Sequence, residues 1–168
     1  MRTVIVAGSL LLSALVPAAA QQPKYGVTVV ESKPAALVNA RTYVWTVSQP
    51  AADKEIDRAI IAAVDREMAA RGFKKLTAGA ADLLVTYGSL TRTDVDLKAK
   101  PTADGALPRI NVGTLQVDLR DPGYSTTRTS FFRVRMDTPI ESDRSKMEAT
   151  INDIVHAMFE KYPPPPKK

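Results

Sequence analysis

The sequence has no cysteine, one histidine and one tryptophan. Without cysteine there are no disulfide staples, no thiol redox chemistry and no thiol to carry a lipid anchor. A zinc centre draws its ligands from several His and Cys side chains, so one imidazole leaves it without a donor set. A hydrolase triad needs a base, and His156 is the only histidine. It lies between Val155 and Ala157 in a helical pattern, where a surface position is its ordinary use. The eight glycines are scattered, and none has the spacing of a phosphate-cradling loop. Asp94 and Asp96 fall on one strand face, with Asp104 nearby in sequence. Such carboxylates can do acid–base work or hold calcium. The spaced acids and terminal Glu of a calcium loop are missing, so a solvated polar face is the simpler reading. No catalytic, cofactor-binding or metal-binding residue is assigned.

What is present begins with an export pattern. Arg2 is followed by an apolar run from Thr3 to Val16, then by Pro17-Ala18-Ala19-Ala20. Small residues at these positions predict cleavage after Ala20 and a periplasmic or secreted protein. The run is shorter than the roughly 20 apolar residues of a membrane span, so no span is expected in the mature chain. The remaining 148 residues carry 22 basic and 18 acidic side chains, a net charge of +4. That permits attraction to anionic surfaces without requiring it. No clustered aromatic-basic motif marks a nucleic-acid partner. Residues 21–162 are expected to form one domain, with 163–168 as an extended Pro/Lys tail.

The stretch from Asp53 to Tyr87 seeds the fold. Asp53 is an N-cap, with Glu55 and Asp57 at the positive end of the helix dipole. Ile56, Ile60, Val64 and Met68 make one apolar stripe. Asp57, Arg58, Asp65, Arg66 and Arg71 lie off it and are expected to face water. Gly72 suits a left-handed stop, with Phe73 folding back on Met68. Strands are read at Val27–Val30, Thr42–Val47 and Asp82–Tyr87, the last continuing through Gly88 to Leu97. Trp45 is expected against the helices. Lys98 to Asn111 reads as a long connector. Val112–Arg120 alternates cleanly, Asp121-Pro122-Gly123 turns the chain, and Ser125–Asp137 returns as its hairpin partner. Ser145-Lys146-Met147-Glu148 has the capping-box pattern. Behind it Met147, Ile151, Ile154, Val155, Met158 and Tyr162 form a second helical stripe. The fold class is α+β in two layers: a largely antiparallel twisted sheet of about five strands with two helices on one face, in the order β-β-α-β-β-β-α.

Five pieces then stand in a telling order: Ala40–Trp45, Ile56-Asp57 through Arg71-Gly72-Phe73, Ala81–Tyr87, Gly113–Leu119 and Ala157–Pro163. Together they span nearly the whole mature chain, and the sequence resembles a bacterial envelope family known as domain of unknown function 4136. The resemblance implies an exported α+β domain, often a lipoprotein, with no established activity and no catalytic residues to carry over. This chain departs from the family in having no cysteine for the lipid. It also reads Phe131-Phe132-Arg133 where many relatives read aromatic-Arg-Gly.

Three functional classes follow, the third being a purely structural envelope protein. The first is a non-enzymatic binding or scaffold module of the envelope that uses an open sheet face or edge. Arg120, Arg133 and Arg135 are placed together on the wet face, with Arg128, Lys98 and Lys100 as neighbours. Arginine forks suit phosphate or carboxylate, so the partner is another envelope protein or an anionic envelope component. The second is a small periplasmic hydrolase or lyase with a carboxylate-containing site under the 98–111 loop.

Overall fold

The computed structural model describes residues 26–46, 49–123, 129–140 and 143–163. The expected export segment, the tail beyond Pro163, Val47 and residues 125–128 of the last expected strand lie outside the described residues. The elements run β1 (Gly26–Ser32), α1 (Pro34–Leu37), β2 (Thr42–Trp45), α2 (Lys54–Ala70), β3 (Lys74–Lys75), β4 (Leu83–Val95), β5 (Arg109–Arg120), β6 (Ser130–Pro139) and α3 (Met147–Phe159). They form an α+β fold, with one sheet in the order β1-β6-β5-β4-β2-β3.

Local chemistry sets the limits of α2. The Asp53 side chain accepts from the Glu55 N–H at 2.8 Å and from Ile56 at 3.5 Å. At the other end Gly72 takes φ +83°. The Gly72 and Phe73 N–H groups close back on the Ala69 and Met68 carbonyls at 2.9 and 3.1 Å. This paired closure satisfies carbonyls that the helix leaves free, and it favours glycine because the left-handed region crowds a Cβ. The predicted stripe is the buried one: Ile60, Val64 and Met68 are sealed in the core with Ile151, Val155, Met158 and Phe159 of α3. Against them the sheet contributes Leu83, Val85, Tyr87, Val117, Leu119, Phe132 and Val134. Burying each of these large side chains contributes about 1.5–3 kcal/mol.

The sheet has six strands rather than five, and it is mixed. β2 runs parallel to both β3 and β4, while β4–β5, β5–β6 and β6–β1 are antiparallel. A parallel pair needs a crossover, and α2 is that crossover between β2 and β4. β3 is two residues long, too short to show a period. It exists because Lys74 and Leu76 donate to the Arg41 and Tyr43 carbonyls at 2.8 Å each. A short helix, α1, starts at Pro34, where proline suits the first helical position, and buries Leu37.

Three further expectations are corrected. The connector between β4 and β5 is residues 96–108, because pairing of Asp94 with Ile110 and Val95 with Arg109 carries β5 back past Val112. The capping box is not formed. Residues Arg144–Lys146 make a 3-10 turn before α3, and Asp143 accepts both the Ser145 N–H at 3.0 Å and its hydroxyl at 2.7 Å. Asp57, Asp65 and Arg71 do not simply face water. Asp57 accepts the Tyr87 hydroxyl, Asp65 accepts from Tyr43 and Trp45, and Arg71 lies over the Phe159 ring, 5.2 Å from its centroid. Trp45 packs against the helical layer as expected.

Candidate functional site

One sheet face carries the helices; the other carries the arginines. Alternation along β5 sends Leu115, Val117 and Leu119 to the helices and Thr114, Gln116, Asp118 and Arg120 away from them. In β6, Phe132 and Val134 go inward and Arg133, Arg135 and Asp137 go outward. The register places Asp118 opposite Arg133, Gln116 opposite Arg135 and Thr114 opposite Asp137. All three arginines predicted for a binding face therefore share one surface.

They do not form a free basic patch. Asp118 is 2% exposed. It accepts Arg133 Nε at 2.9 and 3.0 Å, Arg120 Nη2 at 3.3 Å and the Ser130 hydroxyl at 2.5 Å. Asp137 plays the same part lower on the face. It accepts Arg135 Nε and Nη2 at 2.8 and 2.9 Å, Arg92 Nη1 at 2.8 Å and the Thr114 hydroxyl at 2.6 Å. Burial pushes the Asp137 carboxyl up, but the hydrogen bonds from Arg135, Arg92 and Thr114 outweigh it and bring the group down to about 2. Arg92 also donates to Asp94 at 3.1 Å. The result is a ladder of alternating charge with its guanidinium groups held in place. Arg135 remains the most open of the three, its side chain 42% exposed. Arg92 and Asp137 carry no functional signal in the sequence; only the β4–β5–β6 register brings them to the ladder.

The carboxylates of the alternative enzymatic reading are engaged locally. Asp94 pairs with Arg92. Asp96 accepts the Lys98 N–H at 2.9 Å. Asp104 accepts the Thr102 hydroxyl and the Ala106 N–H at 2.5 and 3.3 Å, which holds its carboxyl below the usual range. The loop closes on itself through Asp96 to Pro108 and Thr102 to Ala106, both at 2.8 Å. Lys98 and Lys100 sit on this hairpin tip, and Arg128 lies outside the described residues. His156 is a surface residue, and its Nδ1 meets Glu67 Oε1 at 2.9 Å. Among the described residues no cluster of three or more His, Asp or Glu side chains is placed to hold a metal ion. None of their helices is long and apolar enough to cross a membrane.

The helical side holds a groove of about 150 Å³ between the N-terminal halves of α2 and α3 and the far ends of β4, β5 and β6. Ile56, Leu115, Met136, Ile140, Met147 and Ile154 are among its walls together with one serine and four threonines, and among the described residues no charged side chain lines it. Sequence reading missed it, because its walls come from five separate elements.

Among solved structures the chain is similar to a PDZ domain protein from Parabacteroides distasonis, at 13% identity and a TM-score of 0.51. That match covers 74% of this chain and 32% of the other, so this chain spans about a third of that protein's length. It is also similar to the PelC dodecamer from Paraburkholderia phytofirmans, at 13% identity and a TM-score of 0.48, covering 77% of this chain and 91% of that one. At 13% identity the first of these speaks to the fold alone. A search of curated proteins returned no match. Residues 27–164 match one family model, with the ordered pieces from Ala40 to Pro163 inside that span, and the chain belongs to the domain of unknown function (DUF4136) family.

Proposed function

We propose that this is an exported, non-enzymatic binding module of the cell envelope, matured by cleavage near Ala20, that docks another envelope protein on the sheet face carrying Arg120, Arg133 and Arg135. The observation that carries the reading is the ladder on that face. Arg120, Arg133 and Arg135 are each fixed by Asp118 or Asp137. Side chains already held in one geometry lose little freedom on docking. Their paired charges suit a protein surface of mixed sign better than a uniformly anionic polymer.

The test is crosslinking in the intact envelope with wild-type protein and with Arg133→Gln plus Arg135→Gln, both checked for folding by circular dichroism. One recurrent partner captured by the wild type and lost in the folded variant supports the reading. Equal capture by both would take the partner off this face. Binding to anionic vesicles or cell-wall sacculi that Arg135→Glu weakens would move the assignment to an anionic envelope component.

A further inference from the structure

We infer that the open edge of β4 is a self-pairing surface: two copies of this chain join antiparallel through Thr91–Val95, with a twofold axis at Thr93. The inference goes beyond the docking proposal, since it concerns the edge of the sheet and needs no second protein.

β4 outruns its neighbour on that side. β2 pairs with it only over Leu83–Val85, and Gln49 adds one bridge at Gly88. Beyond that bridge no described strand stands beside residues 90–95 on this edge. The register of β6 on β5 stops at Val112–Pro139, so the last residues of β4 and the first of β5 run on as a two-stranded ribbon. Such a ribbon is marginal in water until a third strand joins it.

The direction of the free backbone groups follows from the bonds just before them. Thr46 and Gln49 donate to the Val85 and Tyr87 carbonyls at 3.0 and 3.2 Å, and Ser89 donates to the Gln49 carbonyl at 3.3 Å. Odd-numbered residues therefore turn their N–H and C=O groups to this edge, and alternation adds Thr91, Thr93 and Val95. All three are exposed.

The other two edges of the sheet are blunted. β1 slips register between Val29 and Glu31, and β3 is only Lys74-Lys75. A bulge, a very short strand and lysines are devices that keep an edge from pairing. The edge of β4 has none of them. Its register with β5 is unbroken from Leu84 to Val95, and residues 90–95 contain neither lysine nor proline.

The occupant is a second copy because the stretch is complementary to itself. With Thr93 on the axis, Thr93 meets its twin and Thr91 meets Val95 of the second copy, each pair exchanging both backbone hydrogen bonds. Arg92 then stands opposite Asp94 of the second copy, in the closer position where opposite charges favour pairing. Within its own chain Arg92 uses Nε on Asp94 and Nη1 on Thr114 and Asp137, which leaves Nη2 for that carboxylate. An axis at Arg92 or at Asp94 would instead set like charges face to face, so the charges fix the register. Val95, exposed in the single chain, packs on the Thr91 methyl of the second copy.

The experiment is sedimentation equilibrium of the mature protein from micromolar to millimolar concentration, followed by thiol crosslinking. A concentration-dependent dimer is expected. Thr93→Pro deletes an N–H that points away from β5, and proline is tolerated on an edge strand. It should abolish the dimer, with the fold checked by circular dichroism. Asp94→Lys is the second variant: a lysine opposite Arg92 should weaken the dimer at least about tenfold. The chain has no cysteine, so single substitutions report position. Thr93→Cys lies about 5.5 Å from its twin, Cα to Cα, and a short bis-maleimide should join the two. Thr91→Cys lies about 14 Å from its twin along the strand and should escape. A protein that stays monomeric throughout would overturn the proposal. So would a dimer that folded Thr93→Pro and Asp94→Lys leave intact, or capture through Val29→Cys of β1 in place of Thr93→Cys.

Discussion

Asp65 of α2 and Tyr43 of β2 fasten the helical layer to the sheet: the Tyr43 hydroxyl donates to Asp65 Oδ1 at 2.7 Å. The same oxygen takes the Trp45 indole N–H at 2.8 Å, and Lys75 Nζ reaches Oδ2 at 2.7 Å. Burial, and then the hydrogen bond and charge of Asp65, hold the Tyr43 phenol well above its ordinary pKa. Tyr43 is 1% exposed, and removing Asp65 takes away the acceptor of its hydroxyl. Asp65→Ala is expected to cost about 2–4 kcal/mol, and Asp65→Asn about half of that, because the amide oxygen still accepts. Urea unfolding followed by the emission of Trp45 measures both. A loss under about 0.5 kcal/mol for Asp65→Ala would remove this contact from the account of layer packing.

On the opposite face the stakes at Asp118 and Arg135 differ. Asp118→Ala leaves the Arg120 and Arg133 guanidinium groups and the Ser130 hydroxyl without their shared acceptor. The expected cost is about 3–5 kcal/mol, typical of stripping one partner from a buried ionic cluster. Arg135→Gln removes a half-exposed arm and should cost no more than about 1 kcal/mol. Denaturant midpoints of the two variants, measured side by side, check the contrast.

The Asp137 cluster predicts a loss of stability in acid. Its carboxyl is depressed from 3.8 to about 2, so the folded state binds this proton less readily than the unfolded chain. The contribution is complete above pH 4 or so and disappears as pH falls towards 2. It amounts to about 1–2 kcal/mol once screening at the exposed arm of Arg135 is discounted. The slope of stability against pH in this window should flatten in Asp137→Asn, compared with wild type by thermal unfolding.

His156 and Glu67 make a second pH-sensitive contact, this one between α3 and α2. Glu67 raises the imidazole above its ordinary 6.5, with Glu160 adding to it and Arg71 opposing. Burial raises the Glu67 carboxyl, but the hydrogen bonds from His156 and Arg71 carry it below its ordinary 4.5. The histidine contribution is present in full below 6.5 and is lost as pH rises through the raised value. The glutamate contribution is present above 4.5 and is lost as pH falls. The contact is therefore firmest between these limits. His156→Gln should erase the decline in stability on the alkaline side, and a pH series of thermal midpoints reads this directly.

The hairpin tip should matter little to folding. Residues 96–108 hold themselves through Asp96–Pro108, Thr102–Ala106 and Thr102–Gly105 hydrogen bonds, and none of them belongs to the core. Replacing 97–107 by a short Gly-containing turn should shift stability by less than about 1 kcal/mol. A collapse of the fold would show that the loop supports the sheet from outside its own hydrogen bonds.

Much of this protein is legible along the chain because the signals are local. The stripe of Ile60, Val64 and Met68, the Asp53 cap and the Gly72 stop each depend on residues within a turn or two, so α2 could be drawn from spacing and backbone chemistry. The alternation of β5 likewise showed which way Leu115, Val117, Leu119 and Arg120 point. The failed capping box at Ser145 marks the limit of that reading: Asp143, two residues earlier, competed for the same donor and won.

What periodicity could not supply was pairing between distant segments. Asp57 and Asp65 look like solvent-facing helix charges until β2 and β4 bring Tyr43, Trp45 and Tyr87 beneath them. Arg92 and Asp137 are 45 residues apart and meet only through two strand registers. β3 has no pattern of its own and exists because the Arg41 and Tyr43 carbonyls were left open. A side chain's face is set by its immediate neighbours through the period of its own element. Its partner, and hence its burial and charge, is set by which elements pack together, and that is a property of the whole fold's free energy rather than of any one stretch.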